Sequence, residues 1–274
     1  MARKDIFSTL KEKYSVRSAM EIITGLFESK IVRYYAGSWS TEESIESTID
    51  KNIWFSQWKH RQSCISCSHM RKVLFIDRIK NSTEIEDITF CLEYYINMYK
   101  LFLKNLPLLD LGTLSDNFTI LQENINTLIG YLNHHTVNDN GKYLIVPKNP
   151  QGTSAAEVSS KQTGIAILKY HHALLKGNLD EKRKLLNEIA LEYELILKKP
   201  PTSNPVFEKT RGLLNNLHIR HNNQEGKQAK NLPDNLEEWY DELYQMLLLC
   251  ILENDNIPRM EKAKGLMDSI NTKG

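Results

Sequence analysis

Hydrophobic residues recur along most of this chain at intervals of three and four positions, the period of an amphipathic α-helix. The pattern is clearest in residues 115–135, where Phe118, Leu121 and Ile125 fall on one side. Capping residues, glycines and prolines divide the pattern into segments, and Ser40–Glu43 forms one predicted capping box. The predicted helices span residues 5–35, 40–53, 84–104, 115–135, 163–176, 179–199, 204–230, 234–254 and 259–270.

One segment has the pattern of a β-strand, Lys142–Pro147, and it follows the turn signal Asn138–Gly141. The chain is therefore predicted to be all-α, a multi-helix bundle with at most one short β-hairpin, near residues 136–147. Residues 149–162 are small and polar, which favours a surface loop or an interdomain linker. The predicted domains are an N-terminal helical region and a C-terminal helical bundle, at residues 1–148 and 151–274.

Composition narrows the class of protein. Hydrophobic residues make up 41% of the 274, enough for a sizeable core. The 35 lysines and arginines nearly balance 34 acids, so a polyanion could bind only at a local basic patch. Four cysteines without a signal peptide indicate reduced thiols, and the longest apolar run, residues 246–252, is too short to cross a bilayer. We expect a cytoplasmic protein that needs no cofactor.

A local basic patch is present in residues 53–80, which combine six lysines and arginines with one acid and two tryptophans. Basic side chains interleaved with aromatic ones can follow a phosphate backbone while stacking bases. The alternative is an ordinary solvated basic face, with Trp54 and Trp58 in the core. The predicted RNA-binding residues are Trp58, Lys59, Arg61, Arg71 and Lys72, joined by Arg220 from a later segment.

The same segment contains Cys64, Cys67 and His69, half the spacing of a structural zinc site. Tetrahedral zinc needs four ligands, and no second closely spaced pair follows in the sequence. We therefore assign no metal site, and zinc at this triplet remains an open alternative.

Candidate catalytic residues lie in the segment that begins at Asn204. Asn204 can cap a helix and Pro205 suits its first position. On a continuous helix, Arg211 and His218 would lie within about 20° of each other on one face. A histidine can move the proton of a ribose 2′-hydroxyl, and an arginine can hold the scissile phosphate, so this pair suits RNA cleavage without a metal.

The segment Arg211-Gly-Leu-Leu-Asn-Asn-Leu-His218 resembles the R-x4-6-H motif of HEPN domains, and it lies near the end of a helical bundle, followed by one more long helix. The resemblance covers roughly residues 163–254. It implies a metal-independent endoribonuclease, a hydrolase that acts on single-stranded RNA as a homodimer, often as a toxin or antiviral defence effector. Arg211 would then position phosphate and His218 would be the acid or base, with His221 as a further catalytic candidate.

Two alternatives stay open for this segment. Family motifs usually have a polar residue after the arginine, where this chain has Gly212, and a second alignment puts Asn215 at the arginine position and His221 at the histidine position, which implies an inactive site. Arg211 and His218 could instead bond to an acidic helix, for example at Asp241 or Glu242. The alternative function is a non-catalytic HEPN-like or helical interaction protein that binds a protein or nucleic acid.

Overall fold

A computed structural model describes residues 16–36, 39–109, 117–197, 204–219 and 232–271. The chain divides into two compact units, Met1–Ile145 and Val146–Gly274. Both are mainly helical, which confirms the predicted fold class. None of the helices in the described part of the chain has the length and apolar content to cross a membrane.

The first unit is built around one long buried helix. The elements of this unit are α1 Val16–Glu28, β1 Val32–Ala36, β2 Trp39–Glu43, α2 Ile45–Lys51, α3 Trp54–Gln57, α4 Cys67–Val73, α5 Ile76–Ile79, α6 Ile85–Asn105, a 3₁₀ turn Leu106–Leu108, α7 Asn117–Tyr131, β3 His134–Asp139 and β4 Lys142–Pro147, whose last two residues begin the second unit. Helix α6 is hydrophobic nearly all round, and its Tyr95 and Phe102 are fully buried against Phe27 and Trp54. Burial on most of its sides explains why α6 forms the centre of this core.

The second unit packs helices around a core of aromatic and aliphatic side chains. Its helices are α8 Pro150–Glu157, α9 Lys161–Lys169, a 3₁₀ turn Ala173–Leu175, α10 Leu179–Leu197, α11 Pro205–Asn216 and α12 Leu236–Asn271. Tyr170 and Tyr244 stack with ring centroids 4.2 Å apart. Beside them, Lys182 is buried and lies 2.6 Å from Asp241 and 2.9 Å from Glu237.

The prediction of a single hairpin was incomplete. The hairpin β3–β4 forms at residues 134–147, as expected, but β1 and β2 form a second one, with Val32 opposite Glu43 and Ala36 opposite Trp39. The β-branched and aromatic residues after Ile31 favour strand over helix, so the first helix ends at Glu28.

Three smaller predictions were also wrong. The capping box at residues 40–43 lies within a strand, and Ser44 caps α2 instead, with its Oγ accepting from Ser47 N at 3.2 Å. Residues 149–162 are not a loop, because Asn149 and Ser160 cap two short helices there. The helix predicted at 115–135 ends at Tyr131, so His134 and His135 begin β3.

The two helices predicted at 234–254 and 259–270 are one continuous helix, α12, with Pro258 inside it. A proline removes one backbone donor and crowds the preceding turn. Pro258 lies on the exposed part of α12, where water can bond the freed carbonyl group and the ring displaces no core side chain. The sequence rule that ends a helix before a proline therefore failed here.

Candidate nucleic-acid interface

The helix that carries Arg211 begins as predicted. Asn204 is its N-cap, with Oδ1 accepting from Val206 N at 3.0 Å, and Pro205 holds the first position. Its apolar side, with Phe207 and Leu214, is buried, while Arg211 is exposed. The local sequence therefore places the guanidinium in solvent.

His218 does not lie on this helix. Helix α11 ends at Asn216, and His218 follows the C-cap Leu217 with a left-handed φ of 58°. Its N–H donates to Asn215 O at 3.3 Å, and the N–H of Ile219 donates to Leu214 O at 3.2 Å. These two bonds form a Schellman motif, with His218 at the position that glycine or asparagine usually takes.

The Schellman motif corrects the prediction that Arg211 and His218 share one helical face, because the chain turns before it reaches His218. His218 is half-buried, so both side chains retain some exposure. Arg220 and His221 lie outside the described residues. The alternative partner Asp241 is paired with Lys182.

The basic segment is broken into the short helices α3, α4 and α5, with left-handed residues at Ile53, Gln62 and Phe75. Two of its arginines, Arg61 and Arg71, are bonded within the fold. Arg61 donates from Nε to Ser56 O at 3.0 Å and from Nη1 to Cys64 O at 2.9 Å. Two of the three guanidinium nitrogens of Arg61 therefore stabilise a turn of the backbone.

Arg71 is the centre of an ion-pair network. Its side chain is 11% exposed and contacts Glu28, Glu46 and Asp77, with Nη1–Oε1 of Glu46 at 3.3 Å and Nη2–Oδ1 of Asp77 at 2.7 Å. Tyr94 O–H also donates to Glu46, at 2.7 Å. Three carboxylates surround this buried guanidinium and leave it no donor for a phosphate. Arg71, which was predicted to bind RNA, therefore has a structural role as the hub of this network.

The pKa values of these carboxyl groups reflect their different burial. Desolvation raises the pKa of Glu46, despite its bonds to Tyr94 and Arg71. Burial also acts to raise the pKa of Glu28 and Asp77, but hydrogen bonds to Arg71 and the charge of Lys80 outweigh it, and both pKa values are lowered. Of the three carboxylates, Glu46 is therefore the one whose charged form its partners compensate least for burial.

The cysteine triplet has the environment of core side chains. Cys64 and Cys67 are buried, and the Sγ of Cys67 lies 3.6 Å from the sulfur of Met98. Burial raises the pKa of the Cys67 thiol far above its usual value. His69 Nδ1 accepts from Ile65 N at 3.3 Å. Within the described ranges, no three His, Cys, Asp or Glu side chains are grouped so that they could hold a metal ion.

Two of the predicted RNA-binding residues, Trp58 and Lys59, line a pocket of about 510 Å³ in the first unit, which we call the lysine pocket. Its walls come from α3 and the turn after it, from α6, and from the β3–β4 hairpin. Of the described residues that line it, none is an aspartate or glutamate. Its lining residues are Trp54, Gln57, Trp58, Lys59, His60, Asn97, Lys100, Leu101, Lys104, Asn105, Asn140, Gly141 and Tyr143.

The hairpin wall is held in place by two polar side chains of α6, one helical turn apart. Asn97 donates to Tyr143 O at 2.7 Å and accepts from Tyr143 N at 2.9 Å. The buried Glu93 accepts from Ile145 N at 3.1 Å. Glu93 and Asn97 thus satisfy the free edge of β4 as a neighbouring strand would. Because these bonds fix β4 on α6, they fix the position of its turn as well.

The turn itself closes one side of the pocket. Asn140 and Gly141 both have positive φ, of 53° and 93°, as a two-residue type I′ hairpin turn requires. The carbonyl oxygen of Asn140 lies 3.1 Å from Nε2 of His60. This contact joins the hairpin to the segment that carries Trp58 and Lys59, so two distant parts of the sequence form one rim.

The lysine pocket combines positive charge with exposed aromatic surface. Lys100 and Lys104 lie one turn apart on α6, and Lys59 lies on the opposite wall. Trp58 and Tyr143 are half-buried, and Lys100 Nζ lies 5.7 Å from the centre of the Tyr143 ring. Lysine binds phosphate as a point charge, and aromatic rings stack bases. The pocket can therefore hold an anion that carries a planar group.

Sequence reasoning missed most of this lining. Lys100 and Lys104 were visible as two basic residues spaced by four on a predicted helix, and that spacing is a usable signal. The hairpin residues had no such signal, since they reach the pocket only through tertiary contacts. Lys72 is exposed on α4 and does not line the pocket.

Comparison with known proteins gives no relative: the chain matches no family model, no curated protein and no solved structure. The resemblance to HEPN domains thus stays a prediction from sequence.

Proposed function

We propose that this protein binds single-stranded RNA through the lysine pocket. The observation that carries the proposal is the convergence of Lys59, Lys100 and Lys104 with half-buried Trp58 in a pocket lined, in the described residues, by no acid. In a chain of net charge +1, such a local excess of positive charge attracts a partner of opposite charge.

The chemistry of the lining favours a single strand over a duplex. Trp58 and Tyr143 offer ring surfaces to unpaired bases, whereas the bases of a duplex are stacked on each other and out of reach. Lysines provide charge without a fixed geometry, which suits a flexible phosphate backbone. Base stacking on an aromatic ring contributes about 1–3 kcal/mol per base.

The test is binding of a fluorescently labelled RNA of mixed sequence, followed by anisotropy over a range of salt concentrations. Lys100→Gln and Lys104→Gln should each weaken binding about three- to tenfold and reduce the salt slope by about 0.7. Lys72→Gln is the matched control, because Lys72 is an exposed lysine of the same unit outside the pocket.

An equal loss of RNA affinity in Lys72→Gln would instead place the RNA-binding surface on the basic segment, residues 53–80, as the sequence alone suggested. Absence of binding to the unmodified protein at low salt would overturn the proposal. The same assay is run with a DNA strand and an RNA duplex of the same sequence. We expect the duplex to bind more weakly than the single strand.

A second candidate function is metal-independent cleavage of RNA by Arg211 and His218, the activity that the HEPN resemblance implies. The observation in its favour is that Arg211 is exposed and His218 only half-buried, so substrate can reach both. Cleavage in EDTA that is lost in Arg211→Ala and His218→Ala, but kept in the exposed neighbour Lys209→Ala, would support it. Cleavage unaffected by either change would exclude this pair.

A homodimer and a role in antiviral defence belong to the same candidate. Sedimentation of the purified chain tests the dimer. The defence role depends first on the cleavage assay, since a toxin or effector of this class acts by cutting RNA.

A further inference from the structure

The lysine pocket is closed at one end. Its floor is the face of α6 from Asn97 to Asn105, which spans about 12 Å. At the Asn97 end, both backbone bonds of Tyr143 go to Asn97, so the hairpin sits directly on the helix there. The contact between His60 and Asn140 ties the facing wall to the same hairpin. A chain that enters along α6 therefore meets the hairpin at this end of the pocket.

The size of the pocket agrees with this shape. A volume of about 510 Å³ is that of a site for one small molecule, since such sites range from about 300 to 1,000 Å³. Surfaces that track a strand are open grooves that serve about 4–16 nucleotides. The lysine pocket thus has room for one nucleotide or little more.

The charge in the pocket exceeds what one internal nucleotide supplies. Lys59, Lys100 and Lys104 bring three positive charges, whereas an internal phosphodiester carries one negative charge. A terminal phosphate is a monoester with about 1.5 to 2 negative charges near pH 7 and three free oxygen acceptors. Lysines gathered around a short closed pocket match a chain end better than a chain interior.

We propose that the lysine pocket binds the end of an RNA strand, with a terminal phosphate held by the lysines and the terminal base on Trp58 or Tyr143. This inference rests on the proposed function, single-stranded RNA binding by the same pocket. The shared chemistry is a nucleotide with a phosphomonoester, whether it stands at the 5′ end, at the 3′ end or alone as a mononucleotide.

The experiment compares one RNA sequence in four forms: with a 5′-phosphate, with a 3′-phosphate, with hydroxyls at both ends, and closed into a circle. One of the two phosphorylated linear forms should bind about tenfold more tightly than the hydroxyl form, and the circle should bind most weakly. Nucleoside 5′- and 3′-monophosphates serve as competitors and identify the preferred end.

Variants connect the preference to the pocket. In Lys100→Gln and Lys104→Gln the preference for the phosphorylated end should fall to about threefold or less, while Lys72→Gln should keep it at about tenfold. Circular dichroism of each variant confirms the fold. Loss of affinity without loss of preference would place the terminal phosphate elsewhere.

The outcomes separate the two proposals. Equal binding of all four forms overturns end recognition and leaves RNA binding standing. Failure of every RNA to bind, together with tight binding of a mononucleotide, overturns RNA binding but supports a nucleotide phosphomonoester as the ligand. Failure of all ligands overturns both.

Discussion

Arg71 offers the sharpest test of the structure, because it was predicted from sequence to bind RNA and is found at the centre of an ion-pair network. The substitution Arg71→Met keeps most of the apolar stem and removes the guanidinium. If Arg71 is structural, the variant loses stability. If Arg71 binds RNA, the variant loses affinity and keeps its stability.

The size of the loss follows from the exposure of the three partners. Glu28 and Asp77 are 40% and 59% exposed, so water takes over much of their solvation and each pair contributes about 0.5 kcal/mol. Glu46 is only 16% exposed and would keep a buried charge with Tyr94 as its hydrogen-bond donor. Removing one partner of a buried pair costs about 3–5 kcal/mol, and we expect about 3 kcal/mol here, since Tyr94 remains.

Thermal unfolding followed by tryptophan fluorescence is a suitable assay, because Trp54 and Trp58 lie in the same unit as Arg71. At about 2–4 °C per kcal/mol for a unit of this size, the melting temperature should fall by about 6–12 °C. Arg17→Met is the matched control. Arg17 pairs with Glu21 on the surface of α1, with both side chains more than half exposed, and its loss should cost under about 0.5 kcal/mol.

The pH dependence gives an independent check. Desolvation already raises the pKa of Glu46 in the folded protein, and loss of Arg71 should raise it further. A carboxyl group whose folded pKa lies above its unfolded pKa stabilises the fold at pH values below the unfolded pKa, and it loses that contribution as the pH rises through the folded pKa. The deficit of Arg71→Met should therefore shrink as the pH falls from 7 towards the carboxyl range, about 4–5. A loss of stability equal to that of Arg17→Met, or a loss that does not change with pH, would refute the structural role of Arg71.

Three further results are expected. In urea titrations, His218→Val should be less stable than His218→Gly by about 1–2 kcal/mol, because φ at this position is 58° and a β-branched residue tolerates it poorly. Lys182→Met should change stability by less than about 1.5 kcal/mol, since its partners Glu237 and Asp241 are 34% and 43% exposed and stay hydrated. Burial raises the pKa of Cys91 to about 12 and of Cys250 to about 11, so a thiol reagent at pH 8 should leave both unlabelled until denaturant is added.

The helical period carried most of the fold that could be predicted. Helix α6 and helix α10 lie within two residues of their predicted bounds, because each has a long apolar stripe and clear end signals. The turn at Asn140-Gly141 was predicted for a local reason as well, since those residues tolerate positive φ. Where local chemistry decides the structure, the sequence shows it.

The end of α11 could not be predicted in the same way. Leu217, His218 and Ile219 continue an acceptable helical pattern, and no glycine or proline interrupts them. The helix stops because Ile219 is buried beside the core, at 6% exposure, and a Schellman turn at His218 is what carries it there. A tertiary contact thus overrides a local preference, and the predicted geometry of Arg211 and His218 was lost with it.

The basic segment shows why a count of charges misjudges a binding site. A guanidinium has five donors in a rigid fork. Arg61 uses its Nε and Nη1 on backbone carbonyl groups, and Arg71 bonds to three carboxylates. A lysine carries a compact charge on a flexible stem, so it makes fewer of the hydrogen bonds that hold the fold together. Lys59 and Lys104 accordingly stay exposed and line the pocket. For a chain of balanced charge, a basic residue is available to a ligand only when few acids and backbone carbonyls surround it, and that depends on the folded neighbours rather than on the composition of the segment.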